Sequence, residues 1–231
     1  GVRVEHPREL IDKIQYHGQR EARGLGAAEY RVTTQIDGRG VYSFCMCPGG
    51  FVVPSSSGPD EIVVNGMSAA ARNSKWSNAA IVVEIRPEDI PQKFQKAAEE
   101  LGCTQLAGLL FRREIEGLAF SNGKGQSAPA QRLKDFLANR VSSDLPDSSY
   151  TAGLVSSNLA AWLPSHIADR LKKGFVEIDR SMHGFICQDA LMIAAETRTS
   201  TPVRILRDKQ SVECTAIAGL YPAGEGSGYS G

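Results

Sequence analysis

Two cysteines separated by one residue stand at the end of an apolar stretch, in the run Cys45-Met46-Cys47-Pro48-Gly49-Gly50. Side chains of a β-strand alternate between its two faces, so Cys45 and Cys47 are expected on the same face. Two thiols placed in this way can take part in redox exchange, bind a soft metal ion, or simply pack. The pattern favours packing, because free cysteine is among the most buried residue types.

A zinc site at these two thiols is disfavoured. Tetrahedral zinc usually needs four ligands. The other cysteines and the histidines have no paired spacing that would complete such a set: Cys103, Cys187, Cys214, His6, His17, His166 and His183. We therefore predict no metal site in this sequence.

A second group of reactive side chains lies between Glu196 and Arg204. The nine residues contain one carboxylate, two guanidinium groups (Arg198 and Arg204) and four hydroxyl side chains. A guanidinium group is a planar fork that matches a carboxylate or a phosphate. The segment is typical either of a strand end that binds a ligand or of an edge strand with a solvated, salt-bridged turn.

The last thirteen residues, Gly219 to Gly231, form a glycine-dense turn with a single acid, Glu225. Glycine has no Cβ atom, so backbone N–H groups of such a turn can approach a phosphate. The final six residues match G-x-G-x-x-G, but the helix and the acid about 20 residues further on that complete a dinucleotide fingerprint do not follow. Three interpretations of this segment stay open: the start of a dinucleotide fingerprint, a purely structural turn, or a different cofactor-binding turn.

Composition excludes several classes of protein. The 231 residues are 42% hydrophobic and 23% charged, with a formal net charge of zero. No basic stripe is interleaved with aromatic residues, so nucleic acid is not expected as a partner. No apolar run approaches the roughly 18 residues that span a bilayer, so no membrane association is expected. Five irregularly spaced cysteines indicate no disulfide framework and favour a reducing, cytoplasmic setting.

The predicted elements form a β block, a helical block and a second β block. Helical periodicity is strongest in the segment 164–182, where apolar residues step by four, four, three and four: Ile167, Leu171, Phe175, Ile178 and Met182. The other predicted helices cover 7–15, 91–101, 104–120 and 130–139. Strands are predicted at 2–5, 29–36, 40–47, 51–54, 61–65, 79–85, 190–197, 202–206 and 211–220. The strands at 40–47 and 51–54 are expected to form a hairpin with residues 48–50 at its tip.

This order predicts an α+β fold, with a mostly antiparallel β-sheet or barrel-like domain and an inserted helical subdomain. The predicted boundaries place a β-rich part at 1–86 and a helical subdomain at 87–184. Return strands are predicted at 185–218 and a closing turn at 219–231.

Several long motifs appear together and in order, and together they carry a family resemblance. They are Gly1-Val2-Arg3-Val4-Glu5-His6-Pro7, Gly38 to Gly50, Val64-Asn65-Gly66-Met67-Ser68, Ala128-Pro129-Ala130-Gln131, Glu196 to Ile205, and Gly219 to Gly231. The sequence resembles the bacterial FAD-dependent dehydrogenases, NAD(P)/FAD-dependent oxidoreductases of the insert-domain type in the two-dinucleotide-binding superfamily. The resemblance covers essentially the whole chain.

The resemblance implies FAD as the cofactor of an intact parent protein. In such flavoproteins an inserted β-rich domain leaves the flavin domain, and a returning strand brings a glycine-acid turn to the flavin. The positions that match this turn are Gly224, Glu225 and Gly226, together with Gly228. Glu225 stands where related proteins often place an Asp that accepts a ribityl hydroxyl group, and it is one methylene longer. The upstream fingerprint is absent, so the sequence is expected to be an excerpt.

The resemblance also implies partners and a catalytic surface. The expected partners are the remaining FAD-binding domain, a small-molecule substrate and, as electron donor, NADH or NADPH. The residues expected to face the flavin are Cys45 and Cys47 in the hairpin and Glu196 and Arg198 in the later turn. Two other functions stay open: a non-catalytic assembly domain attached to a flavoprotein, and a dithiol redox module that uses Cys45 and Cys47.

The isolated chain should bind FAD weakly, because most of the phosphate contacts that the resemblance implies lie outside the sequence. Titration of FAD into the purified chain, followed through the flavin absorption spectrum, measures this affinity. Sub-micromolar binding would contradict the expectation.

Overall fold

A computed structural model describes residues 1–200 and 204–228 of the chain. The chain forms two compact units. The first contains Gly1–Ile85 and Glu114–Thr197, and the second contains Arg86–Arg113 and the described part of 198–231. The fold is α+β, as predicted, while the predicted domain boundaries stay a prediction.

A seven-stranded sheet is the framework of the first unit. Its order is β2-β3-β6-β1-β9-β7-β8, and every pairing is antiparallel except that of β7 with β8. The sheet stays open, so the barrel-like alternative is wrong. Its strands are β1 (Val2–Pro7), β2 (Thr33–Ile36), β3 (Arg39–Cys47), β6 (Trp76–Val83), β7 (Ala128–Arg132), β8 (Leu154–Ser156) and β9 (Leu191–Ile193).

A small second sheet consists of β4 (Phe51–Pro54) and β5 (Val64–Met67), which pair antiparallel. The helices are α1 (Arg8–Tyr16), α2 (Gln92–Glu100), α3 (Ala107–Asn122), α4 (Leu133–Leu137), α5 (Leu159–Trp162) and α6 (Ser165–Ser181). None of the helices in the described residues is both long and apolar enough to cross a bilayer.

Strand β1 lies in the middle of the large sheet, between β6 and β9, and its positions 2–6 are all buried. Val2, Val4 and His6 share one face by strand alternation. His6 contacts the ring of Phe185, which in turn stacks on Phe175 of α6. This face is therefore covered by an apolar core beneath α6.

The predicted amphipathic stripe of α6 is confirmed. Ile167, Leu171, Phe175, Ile178 and Met182 are at most 4% exposed. The helix begins directly after Pro164, as the sequence predicted for the start of this helix. Gly174 brings α6 close to β3, because a Cβ atom at this position would lie 2.7 Å from Cγ1 of Val41.

The opposite face of β1 carries charged side chains, Arg3 and Glu5, which are also buried. The backbone N–H of Ser149 donates to a carboxylate oxygen of Glu5 at 3.1 Å. The Ser149 hydroxyl also donates to Glu5 and accepts the N–H of Val52 in β4 at 2.7 Å. Strand β5 of the small sheet lies over Arg3. The large and the small sheet therefore enclose a polar layer.

Three predictions of local structure are wrong. The hairpin of 40–47 with 51–54 does not form, because β3 pairs with β2 and β6 while β4 pairs with β5. The segment 130–139 is predicted to be one helix, but it contains the end of β7 and the short α4. Ala130 is fully buried in β7, and burial within the sheet outweighs its helical propensity. Residues 211–220 were expected to form a strand, but their only ladder contact in the described part is an isolated bridge between Arg207 and Cys214.

The failure of this last strand has a physical reason. Ile217 and Leu220 are exposed, so no layer covers the alternating apolar face that the strand needs. Asp208 instead accepts backbone N–H groups of Gln210 and Ser211, both at 2.8 Å, which favours a turn. Residues 202 and 203 of the predicted strand at 202–206 lie outside the described part of the chain, and residues 204–206 form no strand.

Substitution of Gly174 by alanine should destabilise the first unit by about 1–3 kcal/mol, because the added methyl group would overpack the contact between α6 and Val41. Gly117 in α3 is the matched control, since a Cβ atom there would meet no atom within 4 Å. Gly117→Ala should raise stability by about 0.5–1 kcal/mol through helix propensity. Urea unfolding of both variants measures the difference, and equal effects would contradict the close approach.

Candidate functional site

The site is organised around the guanidinium group of Arg3, which is fully buried. Its Nε donates to Oε2 of Glu196 at 2.7 Å. Its Nη2 donates to Oδ1 of Asn65 at 2.8 Å, and its Nη1 donates to Oδ1 of Asn78 at 3.0 Å. A buried charge is tolerated only when it is paired and hydrogen-bonded, and these contacts meet that requirement.

The fourth contact of Arg3 connects it to the cysteine pair. Nη1 donates to the backbone carbonyl oxygen of Cys45 at 2.7 Å and lies 4.0 Å from Sγ of Cys47. The guanidinium group therefore fixes the backbone of the loop that carries both thiols. We name Arg3, Cys45, Cys47, Asn65, Asn78 and Glu196 the Arg3 cluster.

Strand β3 is irregular at these two cysteines. Its register against β6 shifts between Phe44 and Cys47, as in a β-bulge, and Cys45 has a φ of +44°. Cys45 is consequently exposed while Cys47 is 5% exposed. The regular alternation expected from the sequence is interrupted here. The Cys47 thiol donates to the backbone carbonyl oxygen of Cys45 at 3.4 Å, and the two thiols are close enough for each to shift the pKa of the other.

This contact gives the two thiols opposite acidities. The hydrogen bond from Cys47 and the nearby Arg3 guanidinium lower the pKa of Cys45 to about 5, although partial burial opposes the shift. The same hydrogen bond and burial raise the pKa of Cys47. The two shifts favour ionisation of the exposed Cys45 before that of the buried Cys47.

Glu196 compensates the charge of Arg3 from the segment that follows β9 and is 1% exposed. Burial raises the pKa of its carboxyl group, and the attraction of Arg3 limits the rise. The short Nε–Oε2 distance favours the ionised pair. The net charge of the cluster at neutral pH is then that of the Cys45 thiolate.

Gly66 in β5 closes the cluster from the side of the small sheet. A Cβ atom at this position would collide with the Arg3 guanidinium and would lie 2.6 Å from Oδ1 of Asn78 and 2.7 Å from Sγ of Cys47. Only glycine leaves room for the buried cation here. Among the described residues, the amide nitrogen of Asn78 has no hydrogen-bond partner, so the cluster keeps one unused buried donor.

The closing glycine turn belongs to the second unit. Gly224 and Gly228 have φ values of +95° and +85°, a conformation that glycine adopts without strain. A Cβ atom at Gly224 would meet no atom within 4 Å, and one at Gly228 would lie 3.2 Å from Nη2 of Arg204. The side chain of Glu225 and all of residues 229–231 lie outside the described part of the chain.

The structure brings together three of the four candidate catalytic residues. Cys45, Cys47 and Glu196 meet at Arg3. Arg198 falls in the second unit and is half-buried there. Within the described ranges, no three His, Cys, Asp or Glu side chains gather closely enough to hold a metal ion.

The residues that sequence reasoning missed are Arg3, Asn65 and Asn78. Arg3 and Asn65 lie in stretches that carried the family resemblance, but nothing in the local pattern predicts that they contact each other. The signal that was available is the position of Arg3 between two valines of a central strand. Asn78 precedes an apolar run without any comparable signal.

Cys45 should react with iodoacetamide at unusually low pH. The reason is that the buried Arg3 guanidinium contacts the Cys45 backbone and the Cys47 sulfur, and the Cys47 thiol donates to Cys45. The reaction rate should rise with pH as the thiol loses its proton, with a midpoint near pH 5, and stay level above it. Peptide mapping after trypsin measures it, because the tryptic peptide 40–72 contains both of these cysteines and no other.

Two variants control this measurement. Cys47→Ala removes the hydrogen-bond donor and should move the midpoint towards the ordinary thiol value of about 8.5. Cys103→Ser, at a half-buried thiol of the second unit, should leave it unchanged. A wild-type midpoint above pH 8 would contradict the electrostatic account of the cluster.

Comparison with known proteins places these observations in a family. Residues 1–199 match the family model described as "FAD-dependent protein, C-terminal domain-like". The chain is also 43% identical over 236 aligned positions to a protein of Clostridium beijerinckii described as "Uncharacterized protein". The alignment covers 100% of this chain and 42% of that relative, so the chain spans less than half of the relative's length.

Proposed function

Because the chain belongs to the FAD-dependent protein, C-terminal domain-like family, we propose that it is the substrate-side domain of a FAD-dependent oxidoreductase. The relative from Clostridium beijerinckii is longer than the aligned region, which covers 42% of it. In our proposal, the dinucleotide-binding part is supplied by the remainder of a longer polypeptide. The finer assignment as a dehydrogenase with NADH or NADPH as the donor belongs to the same proposal.

The observation that carries this proposal is the Arg3 cluster. It fixes a charged sulfur at the surface of an otherwise buried polar layer, and the cost of burying Arg3 is offset by Glu196 and two asparagines. A site with a perturbed thiol and a fixed cation is typical of functional positions. In our proposal, Cys45 holds a negative charge, or accepts a proton, next to a bound substrate.

The glycine turn of the second unit fits a phosphate-bearing cofactor such as FAD. Gly224 leaves open space where a side chain would stand, and Gly228 leaves the Arg204 guanidinium next to the backbone. Backbone N–H groups and a guanidinium are the donors that a pyrophosphate takes. In this proposal Gly224, Glu225, Gly226 and Gly228 form the turn at the flavin, with Arg204 as an added contact.

When bound, FAD would supply the electron-transfer chemistry of the reaction. The residues of this chain would position the substrate, exclude water from it and hold one proton or one negative charge at Cys45. Arg3 would act as a positioning residue, because its guanidinium is fully buried and its three nitrogens already donate to protein acceptors. A reducing, cytoplasmic setting fits the five free cysteines.

The alternative of a pure assembly domain loses its expected support. Exposed apolar residues on the helix at 164–182 would favour it, but the five residues of the apolar stripe are buried within the chain. Val176, at 42% exposure, is the single large apolar side chain of α6 at the surface. Such isolated exposure is normal for soluble proteins.

The longest open reading frame that contains this chain should yield a protein with bound flavin. Its absorption spectrum should show the flavin bands, and anaerobic addition of NADH or NADPH should bleach them. A colourless protein that fails to bind added FAD would overturn the proposed function.

A pair of charge variants tests the glycine turn in the same protein. Arg204→Gln should weaken FAD binding roughly ten- to a hundredfold, since a lost charge-assisted hydrogen bond costs about 1.5–3 kcal/mol. Lys209→Gln removes an equal charge from an exposed position on the same segment and should leave the affinity unchanged. Equal affinities for both variants would remove the turn from the cofactor site and leave the rest of the proposal standing.

A further inference from the structure

We propose that Cys45 and Cys47 form a reversible dithiol–disulfide pair that exchanges two electrons with low-molecular-weight disulfides. Cys45 is the attacking thiol, and Cys47 is the resolving thiol. The proposal does not depend on flavin binding, because the contacts that carry it lie within the Arg3 cluster of the first unit. Redox exchange is an additional activity of the two cysteines, since positioning a substrate does not require it.

The bulge of β3 supplies the proximity. In a regular strand, residues two apart project to the same face about 7 Å from each other. The register shift and the positive φ of Cys45 interrupt this regular geometry. The Sγ atom of Cys47 consequently lies 3.4 Å from the carbonyl oxygen of Cys45, and the same Arg3 nitrogen contacts both groups. The two thiols are close enough for each to shift the pKa of the other.

The difference in exposure defines the two roles. Cys45 is exposed and can meet a disulfide from solution, whereas Cys47 is 5% exposed and cannot. The Arg3 guanidinium and the Cys47 thiol favour the thiolate form of Cys45, which is the nucleophile in thiol–disulfide exchange. A low-pKa, accessible cysteine beside a second cysteine is the arrangement that thiol redox centres share.

The exchange proceeds in two balanced steps. In the first, the Cys45 thiolate attacks one sulfur of the external disulfide, forms a mixed disulfide and releases one thiolate. In the second, Cys47 loses its proton to solvent, attacks the Cys45 sulfur and releases the second external thiolate. The protein loses two electrons and the proton of Cys47, and the external disulfide gains the two electrons as two thiolates, which take up protons from solvent.

The Arg3 cluster tolerates both redox states. Formation of the disulfide removes the negative charge of Cys45, but Arg3 keeps Glu196 as its counter-ion and keeps its contact with the Cys45 carbonyl oxygen, which does not change. The loop between the two sulfurs contains one residue, Met46. A loop this short gains little from the entropy of cross-linking, so the bond is expected to be readily reduced.

Equilibration of the full chain with buffers of reduced and oxidised glutathione tests the proposal. After acid quenching, alkylation of free thiols and digestion with trypsin, the peptide 40–72 reports both cysteines together. With rising oxidised glutathione, this peptide should lose the mass of two hydrogen atoms and become resistant to alkylation. Dithiothreitol should restore it fully. The same peptide with two alkylated cysteines at every glutathione ratio would overturn the proposal.

Single variants separate the two roles. Cys47→Ser, or Cys47→Ala if the serine variant does not fold, should accumulate glutathione on Cys45. In the Cys45→Ser variant, Cys47 should be alkylated only after denaturation. This variant should react with oxidised glutathione at least roughly tenfold more slowly than the wild type. Cys103→Ser is the control and should form the disulfide as the wild type does. A glutathione adduct on Cys47 in the Cys45→Ser variant at the wild-type rate would contradict the assigned order.

Discussion

The burial of one positive charge in the middle of a β-sheet is the constraint on which this structure depends. Arg3 stands in the central strand of the large sheet, where an unpaired guanidinium would be strongly destabilising. Its neutralisation requires Glu196 from beyond β9, Asn65 from the small sheet and Asn78 from β6. These partners fix the position of the small sheet over the large one, because the charge is satisfied only when all of them are in place.

The two faces of β1 illustrate how the fold separates stability from chemistry. On one face, Val2 and Val4 pack into the apolar core beneath α6. This core stabilises the fold through buried apolar area, which is a non-directional interaction. The other face holds Arg3 and Glu5 in a polar layer where each carboxylate has a defined donor. The exposed Cys45 stands at the edge of that layer, so the acidity of its thiol depends on residues that never reach the surface.

Sequence patterns predicted the elements whose signals are local. The stripe of α6 and the strand that carries the cysteines follow from short-range periodicity, and both are present. The segment 130–139 was misassigned, because sheet burial of Ala128 and Ala130 is a long-range effect. The Arg3 cluster could not be predicted in the same way. The partners of Arg3 lie 42, 62, 75 and 193 residues away in the chain, and no local pattern records such contacts.

The glycine at position 66 has a consequence for the response of the cluster to dissolved salt. Because the backbone of β5 closes directly over Arg3, no counter-ion from solution can approach the guanidinium. Surface pairs such as Lys173 with Asp37 weaken as ionic strength rises, since the screening length at physiological salt is about 8 Å. The field of Arg3 at the Cys45 sulfur runs through protein interior instead. The attraction between Arg3 and this thiolate should therefore weaken less with rising salt than the surface pairs do, while the exposed sulfur itself is open to ions in solution.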